Sequence, residues 1–381
     1  MTKPTVLVFR SRFLPVSETF ISDHVTGLKG WRAVVAYCEE IDGAAARTGL
    51  PCHRVSDGWR RDVSEGLARV GMASGLDRFI EQTRPQLIHA HFLHDGMRMV
   101  RAAHRHNLPL IVTAHGNDAT LTRRARLRTR SGRRFLRGLS GLKAGVSSVV
   151  CVSDFIREDL IEQGWSPERL VTIPLGIDLA RIQPDLGEAG RDGVLYVGRL
   201  VEKKGGRHLI RALSLLPEVL RDTPLTMIGD GPLRRELEDL ADDLRVRIEF
   251  LGAQPRAVGL ERMARAAVLA LPSIRAPDGD AEGLPVVVME AQARACPVVM
   301  FDVGSARAAL SDGVSGLLAR DGDEQDLALT LARILNDPAL AQRLGRAGPG
   351  IARERFDRVI NMARLEAHYD RTLALKDRPN D

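Results

Sequence analysis

The chain has 381 residues, 44% of them hydrophobic, and 55 Lys and Arg against 49 Asp and Glu give it a net charge of +6. That length exceeds the size at which single cores stop growing, so two folded domains are expected and a disordered chain is excluded. No apolar run reaches the roughly eighteen residues that a membrane helix needs, and Met1-Thr2-Lys3-Pro4 leads into an apolar run without a cleavage site, so the expectation is a cytoplasmic protein.

Short apolar runs with turn residues at their carboxyl ends predict strands over 6–9, 33–37, 87–90, 110–113, 149–152 and 171–174. A second set follows over 194–197, 225–228, 248–251, 268–271 and 298–301, and helix-length segments separate the runs. This is the doubly wound α/β pattern, written twice. The polar, turn-rich stretch 183–193 reads as a linker between an N-terminal domain over 1–182 and a C-terminal domain over 194–355. Cys38, Cys52, Cys151 and Cys296 have no zinc spacing and read as reduced, buried thiols.

Ligands in open parallel sheets bind beyond the carboxyl ends of strands, so the residues that follow each run come under inspection. After the first run, Ser17 and Glu18 suit a helix start, with Thr19, Phe20 and Ile21 behind them. His89-Ala90-His91-Phe92 and His115-Gly116-Asn117-Asp118 follow the third and fourth runs, and a strand-end imidazole is either a substrate hydrogen-bonding partner or part of the interior. Neither cluster has a carboxylate or cysteine at metal-ligand spacing.

Between Arg123 and Lys143 lie nine basic residues and no acidic one: Arg123, Arg124, Arg126, Arg128, Arg130, Arg133, Arg134, Arg137 and Lys143. A solvated helix face, an anionic acceptor and an anionic membrane surface all fit, the last at about 1 kcal/mol per basic residue near headgroups. Few aromatics and no recognition motif argue against nucleic acid.

In the second half, Arg199 and Lys204 stand five apart across the turn after 194–197, where they either converge on one diphosphate or decorate a charged loop. Glu282 and Glu290 frame Gly283-Leu284-Pro285, with Pro285 suited to the first turn of a helix. Glu282 then lies in the loop and Glu290 within the helix. The pair fits a sugar at one end and a ribose at the other, or simply a solvated helix face. Asp278-Gly279-Asp280 has the letters of a metal-binding Asp-x-Asp, which a polar loop also produces, and no metal or other cofactor is expected.

Taken in order, these residues resemble the retaining glycosyltransferases of family 4, nearly end to end. The strongest parts are Val197-Gly198-Arg199-Leu200-Val201-Glu202-Lys203-Lys204-Gly205, Glu282-Gly283-Leu284-Pro285 with Glu290-Ala291, and Asp312-Gly313-Val314-Ser315-Gly316-Leu317-Leu318 after Val298-Val299. Ser17 to Ile21, His115 to Asp118 and Pro174-Leu175-Gly176-Ile177-Asp178 look like the subgroup that builds exopolysaccharides and lipid-linked oligosaccharides. The resemblance implies the GT-B fold, two facing Rossmann-like domains, with a final helix around 356–375 crossing back to the first. It implies a nucleoside-diphosphate sugar, UDP- or GDP-linked, as donor, with Arg199 and Lys204 on the diphosphate and Glu290 on the ribose. Glu282 with the Gly283 and Leu284 backbone would hold the transferred sugar, and His115 would meet it near the reacting centre. Ser17, Glu18, Thr19, Gly116 and Asp118 would lie on the acceptor side, the acceptor being a glycan, a lipid-linked sugar or a small molecule. The basic segment would then rest on the inner face of the cell membrane. One departure stands out: Gly304-Ser305-Ala306-Arg307-Ala308 lacks the second Gly and the Glu of the family's Gly-Gly-x-x-Glu. A phosphorylase, a nucleotide-sugar epimerase, a sugar-binding protein and an inactive partner subunit are the competing readings. The first needs a cofactor-bearing lysine, the third needs export, and intact Arg199, Lys204, Glu282 and Glu290 weigh against the last.

Overall fold

The computed structural model describes residues 3–13, 19–40, 49–55, 75–185 and 190–376. It separates into two units, Met1–Gly176 with Arg358–Asp381, and Ile177–Asp357. Residues 177–182, expected in the first domain, group with the second, where the Ile177 N–H donates to Phe356 O at 2.8 Å. The expected linker already contains the start of a strand at Asp192.

The first unit is a seven-stranded parallel sheet: β1 (Thr5–Phe13), β2 (Arg32–Glu40), β3 (Cys52–Arg54), β4 (Leu87–His91), β5 (Leu110–Ala114), β6 (Ser148–Cys151) and β7 (Leu170–Thr172). Its order is β3-β2-β1-β4-β5-β6-β7. The connections hold α1 (Thr19–Gly27), α2 (Gly75–Thr83), α3 (Leu93–Arg105), α4 (Asn117–Thr120), α5 (Arg123–Arg128), α6 (Arg130–Gly145) and α7 (Asp154–Glu162). Every residue of β4, β5 and β6 is buried, which is why these strands are mainly apolar without the alternation of a half-exposed sheet.

The second unit repeats the plan with six parallel strands: β8 (Asp192–Val197), β9 (Leu225–Ile228), β10 (Ile248–Gly252), β11 (Ala266–Ala270), β12 (Val298–Phe301) and β13 (Gly316–Ala319). Their order is β10-β9-β8-β11-β12-β13. Its helices are α8 (Gly206–Ser214), α9 (Arg234–Leu244), α10 (Arg256–Arg265), α11 (Val286–Ala293), α12 (Ala306–Ala309), α13 (Glu324–Asn336) and α14 (Pro338–Phe356). Two strands were not anticipated, β3 and β13. Both lie at sheet edges, β3 over three residues and β13 over four.

The expected last helix around 356–375 is α15 (Arg358–Lys376), which begins two residues after α14 ends at Phe356. α15 belongs to the first unit. Leu365 and Tyr369 join the core there with Trp31, Val25 and Ile21. Its attachment is also polar: Glu366 Oε1 accepts the backbone N–H groups of Lys29 (2.8 Å), Gly30 (2.7 Å) and Trp31 (3.0 Å), and Asp370 Oδ1 accepts the Trp31 indole N–H at 3.0 Å. A single carboxylate thus satisfies three donors of the turn that enters β2. Glu366→Ala is expected to lower stability by roughly 2 kcal/mol in urea denaturation, the scale of hydrogen bonds to a charged group; a change within error would show that water replaces the carboxylate at no cost.

Candidate functional site

Strand order reverses between β8 and β11, so the loops leaving their carboxyl ends part and open a crevice, the usual ligand position in such sheets. The loop after β8 carries Arg199, Lys203 and Lys204; the loop after β11 carries Asp280 and Glu282. They meet. Lys204 Nζ donates to Glu282 Oε2 at 2.8 Å, Lys203 Nζ lies 3.4 Å from Glu282 Oε1, and Lys203 also bonds Asp280 Oδ1 at 3.0 Å. Burial alone would push the Glu282 carboxyl up, but the Lys204 and Lys203 charges and hydrogen bonds more than reverse this and hold it down at about 2. Glu282 is therefore an anion at any physiological pH. Arg199 is exposed, and its side chain has no ion pair among the described residues.

Backbone geometry sets this crevice. Gly205, at a φ of 69°, is the left-handed residue that precedes α8, and a Cβ there would stand 1.8 Å from Pro272 O. Gly229, at φ 136°, would place its Cβ 1.9 Å from Gly198 O. Only glycine lets the loops after β8, β9 and β11 approach this closely. The N-termini of α8 and α11 follow directly, and helix N-termini favour anions.

Glu282 lies in the loop before α11 and Glu290 within it, as the spacing suggested, although Pro285 caps α11 instead of starting it. The two glutamates differ in their partners. Glu290 is buried and accepts from Arg256 Nε, so it is not a solvated helix face. The departure at Gly304-Ser305 acquires a role, because buried Ser305 donates its hydroxyl to Glu282 O at 2.9 Å and steadies the Glu282-Gly283-Leu284 turn. Asp280 is committed to Lys203, and Asp278 Oδ1 accepts the Asp280 N–H at 3.0 Å. No group of three metal-ligating side chains converges among the described residues.

In the first unit the order reverses between β1 and β4, and His115 stands just beyond β5. Its ring sits between Phe20 and Phe92, at centroid distances of 4.6 and 4.5 Å, and burial drives its pKa well below 6.5, with Arg10 adding to the effect. Phe92 holds a φ of 70°, an unusual backbone value for an aromatic residue, directly after β4. Arg10 stacks on Phe92 at 4.2 Å and donates to Asp95 Oδ2 at 2.8 Å. Gly116 precedes α4. Asp118, expected on the acceptor side, is buried and fully engaged with backbone: Oδ1 accepts from His115 N (3.1 Å) and Gly116 N (2.9 Å), and Oδ2 from Leu93 N (2.9 Å). It braces the His115 turn. His89 and His91 are buried interior residues. Ser17 and Glu18 lie outside the described residues, and Thr19 opens α1. Sequence inspection missed Lys203 and Arg10. Arg10 had a signal, a charge inside an otherwise apolar strand; Lys203 differed in no visible way from its neighbour.

A family model described as Glycosyltransferase Family 4 matches residues 19–181, and one described as Glycosyl transferases group 1 matches residues 181–350. The chain belongs to glycosyltransferase family 4. This family-4 chain is 34% identical over 187 residues to the amylovoran biosynthesis glycosyltransferase AmsK of Erwinia amylovora, across 48% of this chain and 46% of that one. It is 30% identical over 218 residues to the 2-deoxystreptamine glucosyltransferase of Streptomyces kanamyceticus, across 56% and 54%. The chain thus matches about half the length of these curated relatives. The structure of Anabaena Alr3699/HepE in complex with UDP and glucose aligns with a TM-score of 0.78 at 20% identity, over 96% of this chain and 99% of that one, a likeness of fold, the GT-B fold.

The Glu282 pairing has a pH signature. A carboxyl lowered from 4.5 to about 2 on folding contributes stability that is present above pH 4.5 and lost as pH falls through 2. The stability gap between the wild type and Glu282→Gln, measured in urea, is expected to be constant from pH 7 to 5 and to shrink toward pH 2. A gap independent of pH over that range would rule out the lysine pairing as its source.

Proposed function

We propose that this family-4 chain is a retaining glycosyltransferase that moves a sugar from a nucleoside-diphosphate sugar to an acceptor hydroxyl on a glycan, a lipid-linked sugar or a small molecule. The observation that carries this reading is the Lys204–Glu282 ion pair at the switch point of the second sheet, with Arg199 exposed beside it and two helix N-termini behind it. The leaving nucleoside diphosphate gains negative charge as the glycosidic bond lengthens. Arg199 and Lys204 stabilise that charge, so the reading assigns the chemistry to side chains and no metal. Glu282, held ionised, accepts hydrogen bonds from sugar hydroxyls, and Glu290, oriented by Arg256, accepts those of the ribose. The Alr3699/HepE complex with UDP and glucose and the glucosyltransferase name of the streptomycete relative support a donor of this class. The reading includes same-face attack, supported by the pairing of Glu282 with two lysines, which lowers its nucleophilicity; the leaving phosphate oxygen then takes the acceptor's proton.

Purified protein is expected to melt higher with one of UDP, GDP or ADP and with the matching nucleotide sugars, and Arg199→Ala to lose most of that shift. Lys204→Ala is expected to lower the transfer rate about 10² to 10³-fold. Absence of a shift with any nucleotide would sink the donor site, and a sugar trapped covalently on Glu282 would sink same-face attack.

The arginine-rich segment supplies a second part of the reading. Arg123, Arg124, Arg128, Arg130, Arg133, Arg134 and Arg137 are all exposed on α5 and α6, without a carboxylate partner among the described residues. Arg126 is the exception, buried against Phe135 and bonded to the Asp118 carbonyl at 2.6 Å. The exposed set is the face proposed to rest on an anionic membrane. Binding to vesicles with anionic lipid is expected to fall steeply with salt and with Arg130, Arg133, Arg134 and Arg137 changed to Gln; equal binding to neutral vesicles would contradict an electrostatic contact.

A further inference from the structure

An unbroken line of hydrogen bonds runs through the first unit. Thr113 Oγ1 lies 2.7 Å from His89 Nε2; His89 Nδ1 is 2.5 Å from the Tyr369 hydroxyl; that hydroxyl is 2.8 Å from His24 Nε2. His24 Nδ1 is then 2.8 Å from His91 Nε2, and His91 Nδ1 is 3.0 Å from His115 Nε2. The line ends at His115 Nδ1, which is buried and has no partner among the described residues. It threads β5, β4, α15 and α1 before reaching the turn after β5. The ring nitrogens bond one another in series, an arrangement unlike a metal site, where they would converge.

Burial keeps all four imidazoles neutral: the His24 pKa falls to about 4 and those of His89, His91 and His115 fall well below 6.5. A neutral imidazole has one N–H and one lone pair, so each ring donates on one side and accepts on the other. The line therefore constrains every ring, and three arrangements satisfy every link. In the first, Thr113 donates to His89, Tyr369 donates to His24, and all four histidines carry the proton on Nδ1. In the second, every histidine carries it on Nε2, and the Thr113 hydroxyl must donate elsewhere. In the third, the Tyr369 oxygen accepts from both His89 Nδ1 and His24 Nε2, His24, His91 and His115 carry the proton on Nε2, and the Tyr369 hydroxyl must donate elsewhere. Among the described residues the Thr113 hydroxyl bonds only His89, and the Tyr369 hydroxyl only His89 and His24. The first arrangement leaves a single orphan, the His115 Nδ1–H; each of the others leaves two, that nitrogen and a hydroxyl. Buried orphans are costly, so the first arrangement wins.

We propose that this line fixes His115 in the Nδ1–H form, and that Thr113, His89, Tyr369, His24 and His91 are positioning residues that make His115 a hydrogen-bond donor to a substrate oxygen rather than a base. The substrate half of this statement rests on the glycosyl-transfer reading above; the tautomer half does not. A sugar hydroxyl oxygen has the lone pair that the orphan N–H lacks. A His115 with no lone pair at Nδ1 leaves acceptor deprotonation to the departing phosphate. The last helix thereby gains a part in the site, through one phenolic hydroxyl.

The test is a two-bond proton–nitrogen correlation spectrum of the full chain labelled with ¹⁵N-histidine, without substrate, with signals assigned from single His→Gln variants. His24, His89, His91 and His115 are expected to show the Nδ1–H pattern, the less common one for a free imidazole. An Nε2–H pattern at any of the four would overturn the proposal. Thr113→Val removes the head donor and is expected to give His115 a mixture of the two forms and to lower kcat roughly tenfold or more, with the nucleotide melting shift preserved. Thr113→Ser, which keeps the hydroxyl, is expected to keep the Nδ1–H pattern. If the valine variant does not fold, Tyr369→Phe cuts the line at its centre and is expected to produce the same mixture. His115 remaining wholly Nδ1–H in the folded cut variant would also overturn the proposal. Since these spectra contain no nucleotide, they stand or fall separately from the nucleotide panel that tests transfer.

Discussion

Parallel strands buried on both faces cannot carry exposed polar chemistry along their length, so polar groups concentrate where the strands end. This constraint organises both units. In the second, reversal of strand order between β8 and β11 places two loops side by side, and the lysines of one neutralise the glutamate of the other. Without the lysines, a buried carboxylate at Glu282 would take up a proton and lose the charge that the proposed sugar contact requires. The close glycine approaches at Gly205 and Gly229 exist because those loops must meet.

The first unit answers the same constraint differently. Its strand ends hold aromatic rings and neutral imidazoles beside the buried Arg10–Asp95 pair and the buried Asp118 carboxylate. A polar interior of this kind survives only when nearly every donor finds an acceptor, and here the satisfied chain runs from Thr113 to His115 through a tyrosine of the last helix. α15 is accordingly more than a cover. Leu365 and Tyr369 fill the core, Glu366 satisfies the turn before β2, and the Tyr369 hydroxyl joins His89 to His24. The first site thus rests on residues more than 340 positions apart, such as His24 and Tyr369.

Family membership and the two-unit fold were readable before the structure because they reside in local patterns. Buried strands announce themselves as apolar runs, and glycines, lysines and glutamates follow them at characteristic intervals. Arg199, Lys204, Glu282 and Glu290 could all be singled out in this way. Local pattern was silent elsewhere. It did not show that the Asp118 carboxylate, which the resemblance put on the acceptor side, serves the backbone of the His115 turn. β3 and β13 went unanticipated, and 177–182 group with the second unit, where Ile177 bonds Phe356.

The sequence by itself determined the fold class, the strand ends where chemistry could gather and the residue types available there, since each depends on neighbours within one turn or one loop. Tertiary structure alone decided which of those residues meet. Lys203 joined Lys204 on Glu282, Arg256 took Glu290, and Tyr369 connected two histidines on different elements. These are contacts across 34 to 345 positions. Residue spacing carries no record of such pairs, because their geometry is set by the strand order within each sheet and by the helices packed on it.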